Sequence, residues 1–170
     1  MKLSPTNLRI LKKTRQQPKA GDIFVFQVDQ RPDEYFFGRV VATDTKIGAV
    51  RDFEAVLIYL YKTTSFNKAD IPPLLTSDLL VPPLGINKQP WTRGFFETVK
   101  SGVNQAEDLL SQHCFRDYRG WFFDEYGNRM PDPVEPVGVY GVGSVGSTDM
   151  EVSQALGLPL KMPLPNVASS

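Results

Sequence analysis

Two runs of β-branched and aromatic residues lie close together near the start of the chain. The first occupies residues 21–28, where a Gly-Asp pair precedes Ile-Phe-Val-Phe, and the second occupies residues 35–41. Runs of this composition predict β-strands. The polar, proline-containing break between them is too short for a crossover helix, so we expect the two strands to pair antiparallel. This pairing argues against a βαβ unit, and therefore against the dinucleotide-binding and P-loop classes of enzyme.

Further strands are predicted along the middle of the chain. The nearly continuous apolar and aromatic run at residues 53–61 is typical of a central strand that is buried on both faces. Shorter strands are predicted at residues 79–81, 91–99 and 121–123, the last of them leading into a turn at Gly127.

Two segments leave alternatives open. Residues 106–115 fit a helical face in their first part and the end of a strand in their last. A short helix that starts at Ser4-Pro5 competes with an edge strand at residues 9–12.

One helix is predicted with both ends marked, over residues 149–156. Thr148 and Glu151 have the spacing of a capping box, and Gly157 stands where a left-handed C-cap is expected. The preceding residues 141–146 match G-x-G-x-x-G by letter, but no βαβ unit surrounds them, so we interpret these glycines as a tight bend that leads into the helix. The predicted fold is mainly β (α+β): a single domain with a curved antiparallel sheet or partial SH3-like barrel and one or two short helices.

The charge distribution divides the chain. Its 170 residues contain 19 basic and 19 acidic side chains, and 41% of the residues are hydrophobic, which is typical of a soluble globular domain. Six of the basic residues and none of the acidic ones fall within residues 1–20, so the rest of the chain has a net charge of −6. We therefore predict a basic N-terminal arm at residues 1–19, a β domain at residues 20–156 and a proline-rich C-terminal tail at residues 157–170.

The residues that most often build reactive sites are scarce. His113 is the only histidine and Cys114 the only cysteine, so the chain can form neither an internal disulfide nor a structural zinc site of four nitrogen and sulfur ligands. We expect a buried thiol and a hydrogen-bonded imidazole, with His113 as a general base the alternative. No catalytic residue, cofactor or metal is predicted. No apolar run reaches transmembrane length, and we expect a reducing compartment, the cytoplasm.

Several segments together resemble a known family. In order and spacing, the chain resembles the bacterial immunity protein 26 family in these pieces: Gly21-Asp22-Ile23-Phe24, Phe37-Gly38-Arg39-Val40, Leu57-Ile58-Tyr59-Leu60-Tyr61, Pro90-Trp91-Thr92-Arg93-Gly94-Phe95-Phe96, Phe123-Asp124-Glu125-Tyr126-Gly127-Asn128 and residues 138–156. The resemblance implies a largely β protein without catalytic residues. It also implies a partner, which is a cognate toxin domain encoded by a neighbouring gene and neutralised by stoichiometric inhibition in the cytoplasm.

The net acidic body would suit a basic toxin, a nuclease in particular, because carboxylates can occupy phosphate subsites and steer encounter. On charge and loop position, the candidate toxin contacts are Asp29, Asp33, Glu34, Asp117, Asp124 and Glu125. Exposed aromatic side chains are the alternative anchors of such an interface.

Two other functions fit parts of the sequence. The Gly-Asp-Ile opening before a hydrophobic strand also resembles the MazF/PemK ribonuclease toxins, although their later strands are not found. A nucleic-acid-binding module could use the basic arm, but the acidic body opposes phosphate binding. We expect neither a membrane nor a nucleic-acid partner.

Overall fold

The computed structural model describes residues 5–48, 50–103 and 106–161, with only the backbone described for Ala106. Within these ranges nine strands and two α-helices form. The strands are β1 (Ile23–Phe26), β2 (Tyr35–Thr45), β3 (Ala55–Ser65), β4 (Leu84–Ile86), β5 (Glu97–Lys100), β6 (Cys114–Arg116), β7 (Phe122–Phe123), β8 (Arg129–Met130) and β9 (Val137–Val139). The helices are α1 (Gln89–Thr92) and α2 (Val145–Leu156), and 3-10 turns occupy Thr76–Asp78 and Ala106–Asp108.

The larger sheet has the order β4-β3-β2-β1-β5, and every neighbouring pair in it is antiparallel. The predicted pairing of the first two strands is therefore confirmed, with Ile23 opposite Arg39 and Phe26 opposite Phe36. Residues 55–61 of β3 are all buried, as expected for a strand with neighbours on both sides. Irregularities in the β2–β3 register bend the sheet, because bulges increase local twist.

The smaller sheet has the order β8-β7-β6-β9, in which β6 and β9 are parallel. Together the two sheets confirm the mainly β prediction, and neither closes into a barrel in the described part of the chain.

Alternation along the strands builds one core on each face of the larger sheet. Phe24 and Phe26 of β1 point into a cluster with Trp91, and α2 covers this cluster through Val145 and Val152. The opposite face of the same strand carries Ile23 and Val25, which pack in a cluster with Tyr59, Tyr61 and Phe115 of β6. The smaller sheet thus lies against the face of the larger sheet opposite to α2.

Two predicted strands are wrong in position. Residues 91–99 do not form one strand: Pro90 occupies the first turn of α1, Gly94 ends that turn at a φ of 89°, and β5 starts only at Glu97. In residues 79–81 only Leu79 makes a bridge, to Tyr61, and the strand that pairs with β3 lies beyond the two prolines, at β4.

The predicted ends of the last helix are half right. Gly157 closes α2 in the left-handed conformation at a φ of 70°, as predicted. The start is wrong, because the capping box is formed by Ser144 and Ser147 and the helix begins at Val145, four residues before Asp149. Just before the helix, Gly143 forms a bridge with β4, and its N–H donates to the Gly85 carbonyl at 2.8 Å.

Neither alternative for the start of the chain forms as predicted, because residues 9–12 do not form a strand and only Leu8, just before them, makes an isolated bridge. Leu8 forms an antiparallel bridge with Val28, and the Arg9 N–H donates to the Gln27 carbonyl at 2.9 Å. Pro5 and the residues up to Leu8 are not helical, and Ser4 lies outside the described residues. Farther on, Leu109, Leu110 and His113 are not helical and only a 3-10 turn precedes them, whereas Cys114 and Phe115 begin β6, as the strand-end alternative predicted.

Candidate functional site

The single histidine lies in a buried hydrogen-bonded chain between the two sheets. Tyr59 Oη and His113 Nε2 are 2.6 Å apart, and His113 Nδ1 pairs with Glu125 Oε2. The Leu110 N–H donates to Tyr59 Oη at 3.0 Å. An ionised carboxylate can only accept, so Nδ1 carries the proton that faces Glu125, and a neutral ring then accepts the phenol proton at Nε2.

The hydrogen bonds among Tyr59, His113 and Glu125 join the two sheets, and they leave His113 no free ring nitrogen for catalysis. His113 is 8% exposed, and both of its ring nitrogens are engaged. Burial raises the pKa of Tyr59 to about 12, so its phenol stays neutral at physiological pH. The imidazole is hydrogen-bonded and Cys114 is buried, as expected. In this arrangement a general base would first have to break one of its hydrogen bonds.

The predicted contact residues of the smaller sheet are engaged in its own turns. Asp117 Oδ1 accepts from the N–H groups of Arg119 at 3.0 Å and Trp121 at 2.9 Å, and Oδ2 pairs with the Arg119 guanidinium at 2.8 Å. Asp124 Oδ1 accepts from Tyr126 and Asn128, both at 2.9 Å. These are the turns at either end of β7, and the two carboxylates fix their shape.

The pKa of Asp117 reflects this engagement. Burial acts to raise its pKa, but the hydrogen bonds from Trp121 and Arg119 and the charge of the guanidinium outweigh it and leave the pKa below its usual range. Asp117 is therefore held as an anion that organises its loop.

The remaining predicted contacts lie apart from these, in the loop between β1 and β2. Asp29 pairs with Arg9 at 3.4 Å and with Lys161 at 2.5 Å, and Glu34 lies 3.8 Å from Arg31. Asp33 is exposed and has no ion pair in the described ranges. The six predicted residues thus form two groups, one on each sheet. Their contact with a partner stays a prediction.

A cluster of exposed aromatic and cationic side chains adjoins the Asp117 turn. This Trp121 cluster consists of Tyr118, Arg119, Trp121 and Arg129. The guanidinium carbons of Arg119 and Arg129 lie 3.6 and 3.7 Å from the Trp121 ring centroid, so they must occupy opposite faces of the indole. Trp121 is still 39% exposed, and Tyr118 is 95% exposed.

The turn between β6 and β7 and the pairing of β7 with β8 bring the side chains of the cluster together. The Asp117 N–H donates to the Trp121 carbonyl at 2.9 Å, and Gly120 allows the tight turn with a φ of 84°. Arg129 reaches the indole because β8 pairs with β7 and places it opposite Phe123. Sequence reasoning took residues 121–123 for strand aromatics and missed the cluster. A signal was present, since an arginine precedes Trp121 by two residues, but Arg129 becomes its neighbour only through strand pairing.

Other parts of the described surface offer less. A groove of about 260 Å³ runs between β4, β9 and α2, lined mainly by small and apolar side chains. Phe66, which is 79% exposed, stands beside Asp33 and Glu34. Within the described residues, no group of three or more His, Cys, Asp or Glu side chains is placed to hold a metal ion. None of the helices there has the length and apolar character that a membrane crossing needs.

Comparison with known protein families identifies the family of this chain. A family model described as Immunity protein 26 matches residues 19–119, which span the chain from just before β1 to the Asp117 turn. Trp121 and Arg129 lie beyond the matched segment. Comparison with curated proteins and with solved structures gave no match.

Proposed function

Since this chain belongs to the immunity protein 26 family, we propose that it binds one cognate toxin domain and neutralises it by stoichiometric inhibition. The family match, which covers more than half of the chain, carries this proposal. The burial of His113 supports a role of the protein in binding and not in catalysis, because both ring nitrogens of His113 are hydrogen-bonded and the phenol of its partner Tyr59 is neutral.

The finer parts of the proposal concern the toxin. We take the toxin to be a nuclease encoded by a neighbouring gene, and the cytoplasm to be the place where the two proteins meet. The net charge of −6 outside the first twenty residues supports a basic partner, since opposite net charges speed diffusional encounter. In this mechanism the protein itself cleaves nothing and needs no cofactor.

Co-expression in bacteria tests the proposal. The toxin domain encoded next to this gene is induced in cells that carry this protein and in cells that carry an empty vector. We expect survival only with this protein, and a one-to-one complex of the two purified domains on size-exclusion chromatography with light scattering. An unrelated toxin domain serves as the control and should kill both kinds of cell. Equal killing by the neighbouring toxin with and without this protein would refute the immunity function.

A second assay separates this proposal from the ribonuclease alternative. The purified protein alone is incubated with single-stranded RNA, and we expect the RNA to remain intact. Cleavage that persists through purification would contradict a purely inhibitory role.

A further inference from the structure

The Trp121 cluster lies in a locally cationic part of a chain whose body is net acidic. Residues 116–121 together with Arg129 contain three arginines, Arg116, Arg119 and Arg129, against one carboxylate, Asp117. All three arginines are exposed. Asp117 already accepts two backbone hydrogen bonds and an arginine, so it offers little to a partner.

The two acids in the turn after β7, Asp124 and Glu125, are engaged in contacts of their own. Asp124 is occupied by the N–H groups of its own turn, and Glu125 is turned inward to His113. Both charges are thereby held at the turn opposite to Trp121, with β7 in between.

The cluster is also ordered in advance. Stacking on the indole fixes both guanidinium groups, and Asp117 holds Arg119 from a second side. Long side chains that are already fixed lose less conformational entropy when a partner binds. Tryptophan, tyrosine and arginine are also the residues that most often dominate binding energy at protein interfaces.

We infer that the Trp121 cluster is the binding hot spot for the toxin, and that it contacts a local acidic patch on a toxin whose net charge is basic. This inference rests on the proposed immunity function and names the interface through which that function acts. The Trp121 cluster then makes the main contact with the toxin, and the exposed loop that contains Asp33 affects only the association rate.

A protein partner suits the cluster better than a nucleic acid. Bases bind exposed aromatic rings by stacking on their faces. Both faces of Trp121 are covered by guanidinium groups, so only the ring edge is available to a partner. The arginines can still present their remaining N–H groups to carboxylates, which they bind in a fork geometry.

Matched substitutions test the inference on the purified, neighbour-encoded toxin domain. Trp121→Ala is paired with Phe66→Ala, which removes an exposed aromatic ring outside the cluster. Arg129→Glu is paired with Arg51→Glu, since Arg51 is an exposed arginine in the loop between β2 and β3. Thermal unfolding and circular dichroism confirm that each variant is folded. Arg129→Glu keeps the tryptophan, so the test holds even if Trp121→Ala weakens the hairpin.

We expect both cluster variants to raise the dissociation constant about 30-fold or more, the effect typical of a hot spot, and both controls to change it less than about threefold. Protection in co-expression should fall in the same order.

The inference is overturned if the cluster variants bind like wild type while neutralising Asp33 and Glu34 abolishes binding. It is also overturned if the cluster binds single-stranded DNA and its substitution leaves toxin binding intact. In both cases wild-type protection would still stand, whereas a wild-type protein that fails to bind the toxin would refute the proposed function itself.

Discussion

At the scale of single residues, the Tyr59 hydroxyl makes two contacts that belong to different parts of the fold. It accepts from the Leu110 N–H and hydrogen-bonds to His113 Nε2, and the same imidazole pairs through Nδ1 with Glu125, in the turn after β7. Removing this one oxygen would leave a backbone donor and a ring nitrogen without partners. Unsatisfied buried groups of this kind cost about 1–3 kcal/mol each.

We therefore expect Tyr59→Phe to lower the free energy of unfolding by about 2–6 kcal/mol, the sum for the two groups, measured by urea denaturation. Tyr140→Phe is the matched control. Its hydroxyl donates to the Lys46 carbonyl at 3.3 Å in an exposed hydrogen bond, and its ring stacks on Phe123 at 4.3 Å, a contact that phenylalanine keeps. This control should cost less than about 1 kcal/mol, because water can replace an exposed partner. Equal effects of the two substitutions would show that the buried chain contributes nothing special.

Sequence reasoning at this scale could identify residue types but not the direction in which they point. The burial of Cys114 and the bonded state of His113 were expected because one cysteine and one histidine cannot build a structural zinc site, and the structure confirms both. The position of Glu125, in a polar turn after a strand, predicts an exposed contact residue. Its carboxylate points inward because His113, twelve positions earlier, comes beside it when the smaller sheet folds. No local pattern contains that pairing.

At the scale of elements, α2 shows how two cap signals in the same segment compete. The Thr148–Glu151 spacing is a good capping box in the sequence, yet the helix begins earlier, with reciprocal hydrogen bonds between Ser144 and Ser147. The bridge between Gly143 and β4 fixes the chain just before Ser144, so tertiary contact selects the start. Thr148 is thereby drawn into the helix, where its hydroxyl is buried without a hydrogen-bond partner among the described residues.

We expect Ser144→Ala to destabilise the protein by about 1 kcal/mol, the usual cost of losing an N-cap. Thr148→Val in the same helix should be neutral or stabilising, because it replaces an unsatisfied hydroxyl by a methyl group of similar shape. Melting temperatures of the two variants and the wild type give the comparison. The reverse order, with Thr148→Val the more harmful change, would mean that the helix starts at the sequence-predicted cap.

The strands that the sequence located correctly are those whose pattern is local and long. β1, β2 and β3 carry runs of apolar residues that no helix period fits, and their burial follows directly. The strand predicted at residues 91–99 is wrong because this segment is as apolar as β1 to β3, while its conformation is determined by Pro90 and Gly94. The parallel pairing of β6 with β9 and the Trp121 cluster depend on contacts between distant segments, which one sequence does not reveal.

At the scale of the whole molecule, the beginning and the end of the described chain meet on α2. Asn7 is fully buried; its side chain donates to Ser153 Oγ at 2.8 Å and to the Pro159 carbonyl at 2.9 Å, and it accepts from Gln30 at 2.8 Å. Leu8 belongs to the core cluster under α2. By contrast, the cationic side chains that follow, Lys12, Lys13 and Arg15, are exposed. The predicted basic arm thus contains a packed part and a solvent-facing part.

This division gives opposite expectations for two changes in the predicted arm. Deleting residues 1–8 removes the buried Leu8, worth about 1.5–3 kcal/mol, and the three Asn7 hydrogen bonds, worth about 1 kcal/mol each. The sum is a large share of the 5–15 kcal/mol that typically stabilises a domain, so we expect the deletion to lower the melting temperature sharply or to prevent folding.

Replacing Lys12, Lys13 and Arg15 by glutamine removes charge without touching the core, and it should leave the melting temperature nearly unchanged. The triple substitution, and not the deletion, is therefore the variant with which binding by the arm should be tested. If the deletion instead melts like the full chain, residues 1–8 contribute nothing to stability and belong to a solvated arm, as the charge distribution predicts.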